Sequence, residues 1–177
     1  MERVEPSTLA EKKLAPVLLC GYGRVGRTIA QALDTFRVPF TVVDIDQRAV
    51  RALRQREIDA FYGDATSPHL LERLGVKKYR LGVIAVTGGD AVYLIAHHLR
   101  RLNPGIRLLL RSHTDKETAF YLANGVEGVV HVELEASLAF VREVLTTANV
   151  DDEIVTAYLE DIRLGYYEGL MPYEREE

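Results

Sequence analysis

The sequence predicts a doubly wound parallel α/β domain: six strands with helices on both faces, followed by a C-terminal helical extension. Three observations carry that expectation. Short apolar runs of strand length alternate with helix-patterned stretches from Pro16 to residue 132. A G-x-G-x-x-G turn, formed by Gly21, Gly23 and Gly26, follows the first run and opens the first helix. After Glu133 only helical periodicity remains.

The elements follow in order. "VLLC" (17–20) is an apolar run of buried-strand length, and the helix after it carries Ile29 and Leu33 on one face. "PFTVVD" (39–44) reads as the second strand, and "QRAVRALRQRE" (47–57) as a helix with Val50 and Leu53 inward and its arginines outward. "DAFYGD" (59–64) is a short third strand. Ser67 as N-cap with Pro68 at the first helical position starts the next helix, and Gly75 stops it. "LGVIAVT" (81–87), "IRLLLRS" (106–112) and "GVVHV" (128–132) are the remaining strands. "DAVYLIAHHLRRL" (90–102) and "DKETAFYLANG" (115–125) are the helices between them, the latter closed by Asn124-Gly125. Alternation of this kind implies a parallel sheet covered on both faces, a Rossmann-like fold.

The expected organisation is a flexible lead-in or linker at 1–14, a nucleotide-binding domain at 15–132, C-terminal helices at 133–170 and a tail at 171–177. In the helical part, Leu134, Leu138, Val141 and Leu145 make one apolar stripe. That stripe either packs on the chain's own sheet or forms a subunit interface. A second helix is expected from Asp151, its cap, with Ile154, Tyr158 and Ile162 in line.

Composition bounds the function. The 177 residues are 47% hydrophobic and 27% charged, ordinary for one globular domain. A net charge of -4 argues against non-specific nucleic-acid binding, and no basic recognition helix is visible. The single cysteine, Cys20, excludes an internal disulfide and reads as a small buried hydrophobe. The polar start is unlike a signal peptide, and no window nears the roughly 18 apolar residues of a membrane span. The chain therefore reads as cytoplasmic, without direct membrane insertion, although it could be a piece of a membrane protein.

The candidate site follows from the glycine turn. Gly21 allows the tight turn, Gly23 lets backbone N–H groups reach phosphate, and Gly26 lets helix and strand pack closely. Tyr22, Arg24 and Val25 fill the variable positions of the turn. Asp44 ends the second strand 23 positions after Gly21, where a carboxylate accepts hydrogen bonds from ribose hydroxyls and repels a 2′-phosphate. Ile45 follows it, and Asp46 either assists or caps the next helix. Gly63, Asp64 and Ala65, in "GDAT", lie beside an adenine ring or form an ordinary capping turn. Thr87 and Gly88 lie where the second half of a dinucleotide, or its phosphates, would pass.

Catalytic machinery is not apparent. Hydride transfer needs a proton donor or acceptor beside the nicotinamide, and no tyrosine here has a lysine four residues later. His97 and His98 are adjacent on a helix and face different ways; His69, His113 and His131 are scattered, so no metal site is supported. The expectation is a protein that is not an enzyme, with a small NAD-dependent oxidoreductase or other nucleotide-binding enzyme as the alternative.

Several blocks in order, "VLLCGYGRVGR", "VVDID", "FYGDAT", "LERLGVKKYRLGVIAV" and "LLLRSHTDKETAFYLANGVEGVV", resemble the RCK domain, also called the KTN or TrkA-N domain. The helical end looks most like the cytoplasmic tail of Kef-type monovalent cation:proton antiporters. The resemblance implies a homodimer of adenine-nucleotide-sensing domains that regulates potassium or other cation transport by a membrane transporter or antiporter, in cis or in trans. It implies AMP as the nucleotide, with NAD(H), ADP or ATP found across the family. It gives the glycines the phosphates, Asp44 the ribose, and Asp64 with Ala65 the base. It matches Arg24 to an arginine that reaches a phosphate at the dimer partner's site. Arg111, ending the fifth strand, matches a basic position facing the site or the dimer seam; from the residues alone it is equally a surface arginine. Glutathione-gated members carry "RARD" where this chain has "RSHT", with His113 in place of the second arginine.

Overall fold

The computed structural model describes residues 15–170. The lead-in expected at 1–14 and the tail expected at 171–177 lie outside them. The elements are β1 (Val17–Cys20), α1 (Arg24–Thr35), β2 (Phe40–Asp44), α2 (Gln47–Gln55), β3 (Ala60–Tyr62), α3 (Pro68–Leu74), a 3-10 turn (Val76–Lys78), β4 (Leu81–Ile84), α4 (Gly89–Leu102), β5 (Arg107–Ser112), α5 (Asp115–Ala123), β6 (Gly128–His131), α6 (Val132–Thr147) and α7 (Asp152–Leu170). The strands form one sheet in the order β3-β2-β1-β4-β5-β6. Pairing is parallel, with Cys20 opposite both Val43 and Ile84. Order reverses between β1 and β4, the switch point at which doubly wound sheets open a crevice. The described residues form two compact units, divided between Leu108 and Leu109.

In the first unit all four residues of β1 are buried, because a central strand is covered on both faces. Val17 and Leu19 share a core cluster with Val42, Val50, Leu53 and Val83, against which Ile29 and Leu33 of α1 pack. Burying side chains of this size contributes roughly 1.5–3 kcal/mol each, before chain entropy is charged against it. Pro68 opens α3 and Gly75 closes it in the left-handed region. Ser67 holds the N-cap position but makes no side-chain capping bond. The strand expected over 81–87 ends at Ile84, so Ala85 to Thr87 form a loop at the crevice.

The second unit begins within β5, whose Leu109 to Ser112 pair with β6 from Gly128 to His131. Thr114 caps α5 by accepting from the Glu117 N–H, while the Glu117 carboxylate accepts from the His113 N–H. The carboxylate reaches one residue further back than in a capping box, to the N–H that precedes the cap residue. The stripe of Leu134, Leu138, Val141 and Leu145 packs within the chain, on the second C-terminal helix rather than on the sheet. It faces Val155, Leu159 and Ile162 of α7. Of the line expected on α7, Ile154, Tyr158 and Ile162, only Ile162 joins this contact. Leu159 is 3% exposed, whereas Ile154 is 64% and Tyr158 54% exposed. Both rows repeat every four residues, so periodicity alone does not choose between them. Asp151 caps α7 as expected, accepting from the Glu153 N–H at 2.9 Å.

Candidate functional site

Four strand ends bring the sequence-predicted residues of the first unit to one edge. The turn after β1 is shaped by two glycines. Gly21 has φ +98°, and a Cβ there would lie 2.8 Å from Val86 Cγ1. A Cβ on Gly26 would lie 2.0 Å from the Gly21 carbonyl oxygen, so only glycine lets α1 sit this close to the turn. Gly23 differs. Its φ is -71°, and a Cβ would meet nothing within 4 Å. Nothing among the described residues requires glycine at 23, and the open space lies at the N-terminus of α1. Backbone N–H groups and the helix dipole favour an anion at such a position.

Asp44 joins this turn to the next. One carboxylate oxygen accepts from the Tyr22 N–H and the other from the Asp46 N–H. Asp46 caps α2, its Oδ1 accepting from the N–H groups of Arg48 (2.8 Å) and Ala49 (3.3 Å). Of the two roles open to Asp46 from sequence, the structure displays the cap. Ile45 between them is 72% exposed, an apolar side chain standing at the crevice. The Gly63 N–H donates to the Asp44 carbonyl, holding the turn after β3 beside the end of β2. There Asp64 Oδ1 accepts from the Thr66 N–H at 2.8 Å, and Ala65 is buried. Thr87 and Gly88 are exposed at the mouth, with Gly88 at φ +100° as the N-cap of α4. Arg24 and Val25 are exposed on the first turn of α1.

Arg111 lies in the second unit, half-buried on β5. Its Nε is buried and has no hydrogen-bond partner among the described residues. Such an atom invites an acceptor. The Cys20 thiol is fully buried, and desolvation raises its pKa to about 12, so it is an inert hydrophobe.

Two features escape sequence reasoning. The Arg27 guanidinium lies 5.7 Å from the Tyr22 ring centroid and donates through Nε to the Tyr22 carbonyl at 3.3 Å. It borders a cleft of about 380 Å³ that Arg48, Arg56 and Leu53 also line. Arginine at the first position after the third glycine was the available signal. The second feature is His98, whose Nδ1 lies 3.0 Å from the Thr66 carbonyl oxygen. No local pattern links residues 32 positions apart.

Sheet order, switch point and glycine turn define a Rossmann-like domain. The chain belongs to the TrkA-N domain family, whose model matches residues 17–132. Among relatives, a protein named K(+) efflux antiporter KefB in Alkalimonas amylolytica is 29% identical over 154 residues, 87% of this chain and 23% of that protein. The crystallised TrkA-N domain of the inner membrane protein YbaL from Escherichia coli is 27% identical, with a TM-score of 0.70 over 76% of this chain and 98% of that one. The Kef C-terminal domain of Shewanella denitrificans, solved in an AMP-bound form, shares the fold at 22% identity. Its TM-score is 0.72 over 88% of this chain and 94% of that one. The chain thus spans less than a quarter of the KefB relative. Among the described residues no helix is long and apolar enough to cross a membrane.

Proposed function

We propose that this chain is an adenine-nucleotide-sensing regulatory domain without catalytic activity, acting on a potassium or other monovalent cation transporter. Gly23 carries the reading: a glycine that the protein's own packing does not require, at a helix N-terminus and beside the Asp44 carboxylate. Family membership supports the regulatory reading over an oxidoreductase. The relative's name supports a cation antiporter as the attached or associated partner, with this domain at the cytoplasmic face. The AMP-bound Kef domain supports AMP among the adenine nucleotides.

In the proposed complex the phosphates lie on Gly21, Gly23 and Gly26, the ribose hydroxyls on Asp44, and the base between Ile45 and the Asp64–Ala65 turn. We assign nucleotide binding to residues 15–132, close to the span the family model matches, and self-association to the helices at 133–170. Self-association into a homodimer is supported by the outward row of the helical hairpin. Phe140 and Val144 on α6 and Ile154 and Tyr158 on α7 are large apolar or aromatic side chains that stand exposed, the kind of surface an interface covers. In such a dimer Arg24, free of ion pairs among the described residues, reaches the neighbour's ligand, and Arg111 supplies a second cation. Nucleotide then biases the transporter if it binds one arrangement of the pair more tightly.

Calorimetric titration with AMP, ADP, ATP, NAD and NADH tests the reading. Saturable heat with at least one, and its loss in Asp44→Ala, is expected. Absence of heat with all five overturns it.

A further inference from the structure

We infer that His98 is a positioning residue for the base-binding turn, holding "GDAT" in shape from helix α4. The inference rests on the nucleotide reading above and assigns this chain a residue that the reading does not use.

The turn from Gly63 to Ser67 is thinly held by its own atoms. Asp64 Oδ1 accepts from the Thr66 N–H, and the Asp64 carbonyl accepts from the Ser67 N–H. Both bonds are local, spanning two and three residues; the turn is tied to the sheet at its first residue, where the Gly63 N–H donates to the Asp44 carbonyl, and by the buried Ala65 side chain, which leaves the backbone at Thr66 without a main-chain tie to the core. Ser67, which could brace the start of α3, makes no side-chain capping bond. The Thr66 carbonyl is then met by His98 Nδ1 at 3.0 Å. A carbonyl oxygen only accepts, so Nδ1 carries the proton and donates. His98 is half-buried on α4, flanked by Leu99, which is fully buried, so the helix gives the ring a fixed mount.

The same helix begins at Gly88, beside the other wall of the crevice. One rigid element therefore carries both the lip at Thr87–Gly88 and the clamp on the base turn. A helix shifted at one end moves the other, which couples the two walls of the site. His98 touches no ligand in this arrangement. It acts through Thr66 on Asp64 and Ala65, so its effect belongs to the base and not to the phosphate.

The test compares the parent protein with His98→Ala and His98→Asn. Asparagine is the rescue because its amide nitrogen stands the same number of bonds from Cα as Nδ1. Affinity is measured for AMP and for ribose 5-phosphate, and amide hydrogen exchange is followed across residues 63–67 without ligand. Expected for His98→Ala are a roughly three- to tenfold weaker AMP affinity, the scale of one hydrogen bond, and faster exchange at the Thr66 and Ser67 amides. Ribose 5-phosphate affinity stays unchanged, and His98→Asn restores AMP affinity. Equal loss for AMP and ribose 5-phosphate, or loss that asparagine does not restore, overturns the assignment in favour of a packing role. If the parent binds none of AMP, ADP, ATP, NAD and NADH, the nucleotide reading falls; if it binds another of them, that nucleotide takes the place of AMP in the comparison. The exchange data still judge the clamp: unchanged exchange in His98→Ala overturns it independently.

Discussion

The two units handle their polar groups in opposite ways. At the crevice of the first unit, Asp44, Asp46 and Asp64 each accept from backbone N–H groups close by. Main chain holds the carboxylates, and neighbouring side chains such as Ile45 and Arg24 are left facing water. In the second unit, side chains reach across elements, to other side chains and to main-chain N–H groups. Arg163 of α7 grips Glu135 of α6 through two 2.9 Å bonds. Tyr166 donates to Asp115 at 2.6 Å, and the Tyr167 hydroxyl accepts from the His131 N–H at 2.9 Å. His131 Nδ1 caps α6 by accepting from the Leu134 N–H, while its Nε2 stands 3.4 Å from Asp115, without hydrogen-bond alignment. The first arrangement presents a polar edge to a small molecule. The second fastens helices together and leaves apolar side chains outside. The two histidines show the same contrast: His98 donates through Nδ1, whereas His131 accepts there.

The largest expected effect falls on the second unit alone. Leu159→Ala removes the centre of the α6–α7 contact and should cost about 2–5 kcal/mol in denaturant unfolding. Nucleotide affinity per folded molecule should hold; if it falls in parallel, the division of roles is wrong. Next come two identical substitutions in one turn. Gly26→Ala forces a Cβ onto the Gly21 carbonyl and should cost roughly 1–3 kcal/mol, as overpacking does. Gly23→Ala should leave stability within about 0.5 kcal/mol, as at an open surface position, yet weaken nucleotide binding strongly. Equal stability losses in the two would show that Gly23 serves the fold. Asp44→Asn should weaken nucleotide binding by about 1.5 kcal/mol, the scale of a hydrogen bond to a charged group, as read by calorimetry.

The smallest effect is one of pH. Burial, and then the hydrogen bond to Asp115, push the Tyr166 hydroxyl up to about 12. The folded state thus retains a proton that the unfolded chain releases near pH 10. This contribution is complete below about pH 10 and disappears as pH rises toward 12. Tyr166→Phe should flatten the alkaline loss of stability, measured by urea unfolding at pH 9 and 11. Cys20 contributes a slope of the same sign in both proteins, so the difference isolates Tyr166.

What could be read from the chain follows from locality. Strand-length apolar runs, helix periodicity, Pro68 and Gly75 act within a few residues, so element order was legible and boundaries shifted by only a residue to three. The glycine turn was legible because Gly21 and Gly26 answer to neighbours in the same loop. Asp44 was legible because the parallel crossover places the end of β2 beside it. By itself the sequence determined the alternating architecture, the turn and its acidic companion.

Tertiary structure alone decided three things. It chose Val155 and Leu159 over Ile154 and Tyr158, because two rows with the same period differ only in what packs against them. It placed Arg27 over the Tyr22 ring, a contact set by side-chain direction. It brought His98 to the Thr66 carbonyl across 32 residues. Local patterns report what each segment would bury; only packing in three dimensions decides which partner each group meets.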